Sequence, residues 1–238
     1  MVAADSAQAE EASYESLVET EDAPLTQPSR HASLVLAHPR FGKKAAITAT
    51  GRNGLAEQGE VHYLRNDFLI TTTNKQVNFL QHIMSLMKIN GRAAVIVPDN
   101  VLFEIGTYST LRRRLLDYFD LHTILRLPTG IFYAADIKTN VLFFDKRTRI
   151  GGKPNTSKLW VYDLRTGLEF SLKQKPLQQA DLVEFLEAYL PGNPQADRVE
   201  TERFRCFSYD ELIARDHLNL DITWAADPNL DASQAPLP

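Results

Sequence analysis

Gly91-Arg92-Ala93-Ala94-Val95-Ile96-Val97-Pro98-Asp99-Asn100 is the stretch on which the fold turns. Its centre, residues 93–97, is an unbroken apolar run of strand length, the signature of a sheet covered on both faces, and Pro98-Asp99-Asn100 closes it. Just upstream, Phe79, Leu80, Ile83, Leu86 and Met87 recur at helical spacing, with Asn90-Gly91 as the expected C-terminal stop. Downstream, a helix over 107–118 with Leu111 and Leu115 on its apolar side leads into a strand at 123–127, then Pro128-Thr129-Gly130. Helix, strand, helix, strand in this order predicts a parallel sheet of α/β type.

Working outward, residues 32–37 form another short apolar run, ended by His38-Pro39 because proline disfavours helix in the residue before it. Residues 140–144 and 159–163 are two more apolar runs separated by Gly151-Gly152, and are expected to pair as a hairpin-like antiparallel edge. Helices are expected at 180–189 and 208–215. The Arg112-Arg113-Arg114 run lies on a helix whose apolar side is already assigned, so it is expected to project outward. The glycine-punctuated connection 42–67 has the length of a lid or substrate loop. Four segments result: a disordered acidic segment at 1–30, an α/β unit at 31–150, a strand-and-helix unit at 151–224, and a loose tail at 225–238.

With 238 residues, 44% hydrophobic and 24% charged, the chain has the composition of a soluble globular protein. A net charge of −4 supplies no global field for nucleic acid, so any such contact must be local. Cys206 is the only cysteine, which rules out an intramolecular disulfide and a multi-cysteine zinc cage. Nothing approaches the roughly 18 apolar residues of a membrane span, and the acidic start lacks the features of a signal peptide. A cytoplasmic protein without membrane contact is expected. The histidines and carboxylates show no metal-site spacing, and no strand end carries a nucleophile-elbow sequence.

Several long words, in order, resemble the M subunits of Type I restriction-modification systems. They are Asn74-Lys75-Gln76, the stretch 91–103, Leu127-Pro128-Thr129-Gly130-Ile131-Phe132, the stretch 137–146, Ala214-Arg215-Asp216 and Leu220-Asp221. The resemblance covers roughly residues 32–224 and implies an adenine-N6 DNA methyltransferase that uses S-adenosylmethionine. It implies a Rossmann-like class I methyltransferase sheet, present here only in its later strands and mostly parallel with an antiparallel edge, plus C-terminal helices. The implied partners are DNA, a specificity subunit and a restriction subunit.

Two departures qualify what the resemblance implies. The family's glycine-rich cofactor loop has no counterpart, because no glycine precedes Gly42, so no cofactor-binding residue is assigned and the chain alone should bind S-adenosylmethionine poorly. The family's Asn-Pro-Pro-Phe appears as His38-Pro39-Arg40-Phe41. There the asparagine oxygen and the adjacent proline carbonyl accept hydrogen bonds from the adenine amino group, and the aromatic ring stacks on the flipped base. Neutral His38 offers one ring acceptor and Arg40 is a donor-only cation, so little or no methyl transfer is expected. Lys43 and Lys44 are candidates for the DNA backbone, Asp99 and Asn100 for the substrate side of the sheet, and Phe132 and Tyr133 for the wall of the base pocket. The alternative is a non-catalytic module that binds DNA or the specificity subunit.

Overall fold

The computed structural model describes residues 27–39, 65–132, 137–165, 168, 170–192 and 197–224, together with the backbone of four short strands. In chain order the elements are β1 (Val2–Ala4), β2 (Tyr14–Glu15), β3 (Ala32–Ala37), β4 (Ala46–Thr50), β5 (Ala56–Glu60), α1 (Lys75–Leu86) and β6 (Met87–Pro98). There follow α2 (Asn100–Phe103), α3 (Thr107–Tyr118), β7 (Phe119–Leu127), β8 (Thr139–Lys146), β9 (Lys158–Asp163), α4 (Val183–Tyr189), β10 (Phe204–Ser208) and α5 (Tyr209–Ala214). Within the segment expected to be disordered, β1 and β2 form strands. Within the connection 42–67, β4 and β5 form a separate antiparallel pair.

The main sheet runs β10-β9-β7-β8-β6-β3 and is extended past β3 by β1 and β2. β3, β6, β7 and β9 point one way while β8 and β10 oppose them. This is the mixed, mostly one-directional α/β sheet that the sequence predicts. The antiparallel strand is placed differently, however. β8 does not pair with β9 but is inserted between β6 and β7, with Leu142 opposite both Val95 and Ile124. The physical reason lies in the long 128–138 connection, which lets the chain reverse and drop the most apolar remaining strand into the sheet interior. Strand β9 then pairs in parallel with β7, and β10, which the apolar pattern does not reveal, closes that edge. Strands from 31–150 and from 151–224 therefore share one sheet.

Helix α1 starts where Asn74 caps it, the side-chain oxygen accepting from the N–H groups of Gln76 at 3.0 Å and Val77 at 3.1 Å. It ends earlier than Asn90-Gly91 predicts, at Met87, and the chain enters β6 directly. Asn90-Gly91 instead forms an irregularity in β6, where Ala32 pairs with Met87 but Leu34 with Arg92. Asn90 takes φ 64°, and a Cβ on Gly91 would stand 2.9 Å from Lys88 O and 3.0 Å from Ala32 O. Glycine is what lets the two strands close at that point.

One face of the sheet packs against α1 and α3, burying Leu80, Ile83, Leu111 and Leu115 on Val95, Ile124 and Phe144. On the other face, Phe185 and Tyr189 of α4 cover Phe143 and Tyr162. That second layer stops short of β3 and β6. Ala93, Val95 and Val97 are buried while Ala94 and Ile96 are only partly so, which corrects the expectation that this strand is covered on both faces. The free side of β3 is paired by β1, through Val2–Leu36, Ala3–Val35 and Ala4–Leu34. The N-terminal segment thereby covers an edge that would otherwise present unpaired backbone groups. Among the described residues no helix is long and apolar enough to cross a membrane.

Candidate active site

Three connections meet at the end of the sheet where β3, β6 and β7 finish: His38-Pro39 after β3, Asp99-Asn100 after β6, and the turn from Pro128 to Phe132 after β7. Ligands of open α/β sheets collect at this end of the strands. The His38 and Phe132 rings lie with centroids 4.9 Å apart and planes tilted by 46°, so the structure brings together two of the residues that the sequence singles out. The ring stays largely open to solvent, yet partial desolvation, joined by the positive N-terminus, holds the His38 imidazole below its ordinary pKa and favours the neutral ring. Arg40, Phe41, Lys43, Lys44 and Tyr133 lie outside the described residues.

Asp99 is tied into the scaffold. Its Oδ1 accepts from Asn140 Nδ2 at 2.7 Å and from Arg165 Nη2, and its Oδ2 accepts from Arg165 Nη1 at 2.9 Å. Its own N–H donates to Lys138 O at 3.0 Å. Arg165 continues across the strand ends, donating from Nε to Leu127 O at 2.9 Å and from Nη2 to Thr139 O at 2.8 Å. Asp99 and Arg165 side chains are 15% and 11% exposed, so this is a largely desolvated ion pair satisfied by several hydrogen bonds.

Asn100 belongs to a second network. Its Nδ2 donates to Gln76 Oε1 at 3.0 Å and to Tyr108 Oη at 3.1 Å, and Tyr108 Oη also accepts from Asn74 Nδ2 at 2.9 Å. Asn100 Oδ1 is buried without a hydrogen-bond partner among the described residues. The Asn74-Lys75-Gln76 word thus does two jobs, capping α1 and fixing the residue that follows β6. Asn78 and Gln81 pin the preceding stretch onto the same helix, donating to Thr72 O at 2.8 Å and Ile70 O at 2.9 Å. Arg165, Asn140 and Tyr108 are the residues that sequence reasoning missed. Arg165 and Tyr108 follow no recognisable spacing, and Asn140 sits in a strand whose pattern speaks only of burial.

The arginine run behaves differently from its expected outward projection. Arg112 is 2% exposed and donates to Val101 O at 2.8 Å, Leu218 O at 2.8 Å and His217 O at 2.9 Å. Burial lowers its pKa to about 10, which still leaves it charged at neutral pH. Position 112 faces the C-terminal segment that folds back over α3, and helical periodicity cannot foresee that cover. Arg113 and Arg114 do lie toward the surface, donating to Tyr209 Oη and Tyr118 Oη, each at 3.0 Å.

A cavity of about 500 Å³ lies at the opposite end of the sheet, bordered by Ser85, Ile89, Phe119 and Lys146. It is remote in topology from His38 and Phe132. No cluster of three or more potential metal-binding side chains occurs among the described residues.

A mixed α/β sheet whose base-side candidates gather at one end of the co-directional strands agrees with what the sequence words imply. The N-6 DNA methylase family profile matches residues 7–228, and the chain belongs to that family. Among its relatives, the Type I restriction enzyme StySPI methylase subunit of Salmonella potsdam is 37% identical over 240 residues, covering 87% of this chain and 42% of the relative. The EcoKI methylase subunit of Escherichia coli strain K12 is likewise 37% identical, with the same shares covered. The crystal structure of the EcoKI M protein superimposes with a TM-score of 0.66 at 35% identity, covering 82% of this chain and 44% of that one. A modification subunit from Vibrio vulnificus YJ016 gives 0.63 at 28% identity, with shares of 89% and 42%. The chain spans less than half the length of these relatives.

Proposed function

We propose that this chain carries the target-base side of a methyltransferase that moves a methyl group from S-adenosylmethionine to N6 of adenine in DNA. The observation that supports this reading best is the His38–Phe132 pair at the ends of β3 and β7, inside the segment shared with Type I methylase subunits. Phe132, together with the sequence candidates Phe41 and Tyr133, would stack on or wall a flipped base. His38 and Pro39 would receive the adenine amino group, because a neutral imidazole has one acceptor nitrogen and the proline carbonyl another lone pair. Arg40, next in sequence, would bring a donor-only cation. Loss of a well-placed acceptor on a reacting group costs on the order of 100-fold in rate, so methyl transfer by this chain is slow or absent.

S-adenosylmethionine does not fit the residues of this chain by themselves. No glycine occurs before Gly42 to let backbone approach the ligand, and the β3 edge is occupied by β1. Asp99 is committed to Arg165 and Asn140. Lys43 and Lys44 would meet the DNA backbone, while a specificity subunit would supply sequence recognition and a restriction subunit would complete the assembly, in a cytoplasmic setting.

Isothermal titration of S-adenosylmethionine into the purified chain, run beside tritiated-methyl transfer to adenine-containing DNA, tests this reading. No cofactor heat and little transfer are expected. Tight cofactor binding would sink the claim that these residues by themselves do not hold the cofactor, and efficient transfer would mean that His38 replaces the asparagine well.

A second reading is a non-catalytic module that docks on the specificity subunit or on DNA. The well-anchored C-terminal segment favours it, since two buried arginines, Arg112 and Arg126, hold residues 217–222 by their carbonyls and Asp221. Co-purification with a cognate specificity subunit should succeed if this reading holds, and its failure would remove the reading's support.

A further inference from the structure

We propose that Arg165 is a positioning residue of the target-base site, holding the turn that carries Phe132 against His38 from a segment outside the catalytic motif. This rests on the reading of His38 and Phe132 as the base-side pair.

The connection between β7 and β8 has two stems, Leu127 at its start and Thr139 at its end. Arg165 donates to the backbone carbonyls of both, at 2.9 Å and 2.8 Å, so one guanidinium staples the base of the connection. The same group reaches Asp99 with two nitrogens and Asn140 Oδ1 at 3.2 Å, fastening the staple to the end of β6. A second contact comes from the same segment. Gly130 has φ +81°, and a Cβ built there would stand 2.0 Å from Phe170 O, so the turn is seated directly on the chain that follows Arg165. Two residues beyond Gly130, Phe132 meets His38.

All three guanidinium nitrogens are engaged by protein acceptors, which makes Arg165 a brace and not a substrate contact. Only a planar fork meets acceptors in this arrangement. A lysine ammonium is a compact point charge that would keep the attraction to Asp99 but not span the two carbonyls. The Asp99 carboxylate neutralises the largely desolvated cation, so the two residues act as a unit.

The test uses the full chain with isotope-labelled histidine and phenylalanine and the variants R165M, R165K and G130A. The first readout is the nuclear Overhauser contact between the His38 and Phe132 rings together with the pH midpoint of His38. The second is quenching of 2-aminopurine in single-stranded DNA. The wild-type chain should show the ring contact and a His38 midpoint below that of a histidine in an unfolded peptide, in line with its partial desolvation against the Phe132 ring. Under conditions where circular dichroism shows each variant folded, all three should lose the contact and raise the midpoint, with DNA binding about tenfold weaker, the order expected for one lost stacked base. An unchanged ring contact in folded R165M or R165K would overturn the proposal. So would losing the contact only together with global unfolding in every variant, because Arg165 would then support the whole sheet and not the turn. If the wild-type chain shows the ring contact but no 2-aminopurine response, the base-side reading fails while the positioning claim is still decided by the ring contact.

Discussion

A buried and a largely buried arginine do opposite work at two places in this molecule. Arg112, on α3, has backbone carbonyls for partners: Val101, His217 and Leu218. It ties the returning C-terminal segment to the helical layer. Arg165, after β9, has a carboxylate as its principal partner and clasps the ends of β6, β7 and β8. The first region is scaffold, where a cation replaces the hydrogen bonds that an irregular segment cannot make to itself. The second reaches a connection that carries a candidate functional ring. Burial of an arginine therefore says little about its role until its acceptors are traced.

The sharpest way to break this comparison is R112M. Removing the guanidinium leaves the buried Val101 and Leu218 carbonyls and the part-buried His217 carbonyl without their donor, and a loss of about 3–5 kcal/mol is expected, read by urea denaturation. The ring contact between His38 and Phe132 should survive in whatever fraction stays folded. Its disappearance would mean that the two regions are coupled.

G130A should strike the other region. The positive φ and the 2.0 Å approach to Phe170 O leave no room for a methyl group, and a cost of about 2–3 kcal/mol is expected with the damage concentrated in the 128–132 turn. Hydrogen exchange should reveal it there before it appears in α3. Equal protection loss across both regions would erase the distinction.

A smaller effect is expected at the scaffold's helix cap. Ser208 accepts from the Glu211 N–H at 3.3 Å and Glu211 reaches back to the Ser208 N–H at 2.7 Å. S208A should cost about 1 kcal/mol in thermal or urea unfolding without touching His38.

Protonation gives a graded test of the candidate site. The folded pKa of His38 lies below that of the unfolded chain, so the unfolded state binds more protons in between. The contribution of the packed ring is complete above the ordinary imidazole range and is lost as pH falls through the lowered value. The ring contact should weaken on acidification in that window, and H38N should abolish the dependence. The smallest change is R113A, whose hydrogen bond to Tyr209 is exposed. Less than about 0.5 kcal/mol is expected, and a larger loss would show that this surface arginine also belongs to the scaffold.

Local pattern carried a large part of the fold. The apolar runs at 32–37, 93–97 and 159–163 are all strands, and the helix over 107–118 forms with the bounds its periodicity predicts. The cap that Asn74 provides to α1 was not read from the sequence, where Asn74 stood out only as part of a family word. Local pattern failed where pairing is non-local. The neighbours of β8 depend on how the 128–138 connection turns, and β10, Phe-Arg-Cys-Phe-Ser, is a strand because β9 offers it an edge. The candidate residues His38, Asp99, Asn100 and Phe132 were legible as residue types at strand ends. Which of them face one another was not.

The sequence by itself determined the α/β class, the family words and the unusual His38-Pro39-Arg40-Phe41, because strand and helix periods and motif chemistry are written in adjacent residues. Only the tertiary structure decided that Asp99 is bound to Arg165, that Arg112 is inside, and that His38 meets Phe132. Each of those contacts joins residues dozens of positions apart, and the free energy of a buried charge or a stacked ring depends on partners that no local window contains.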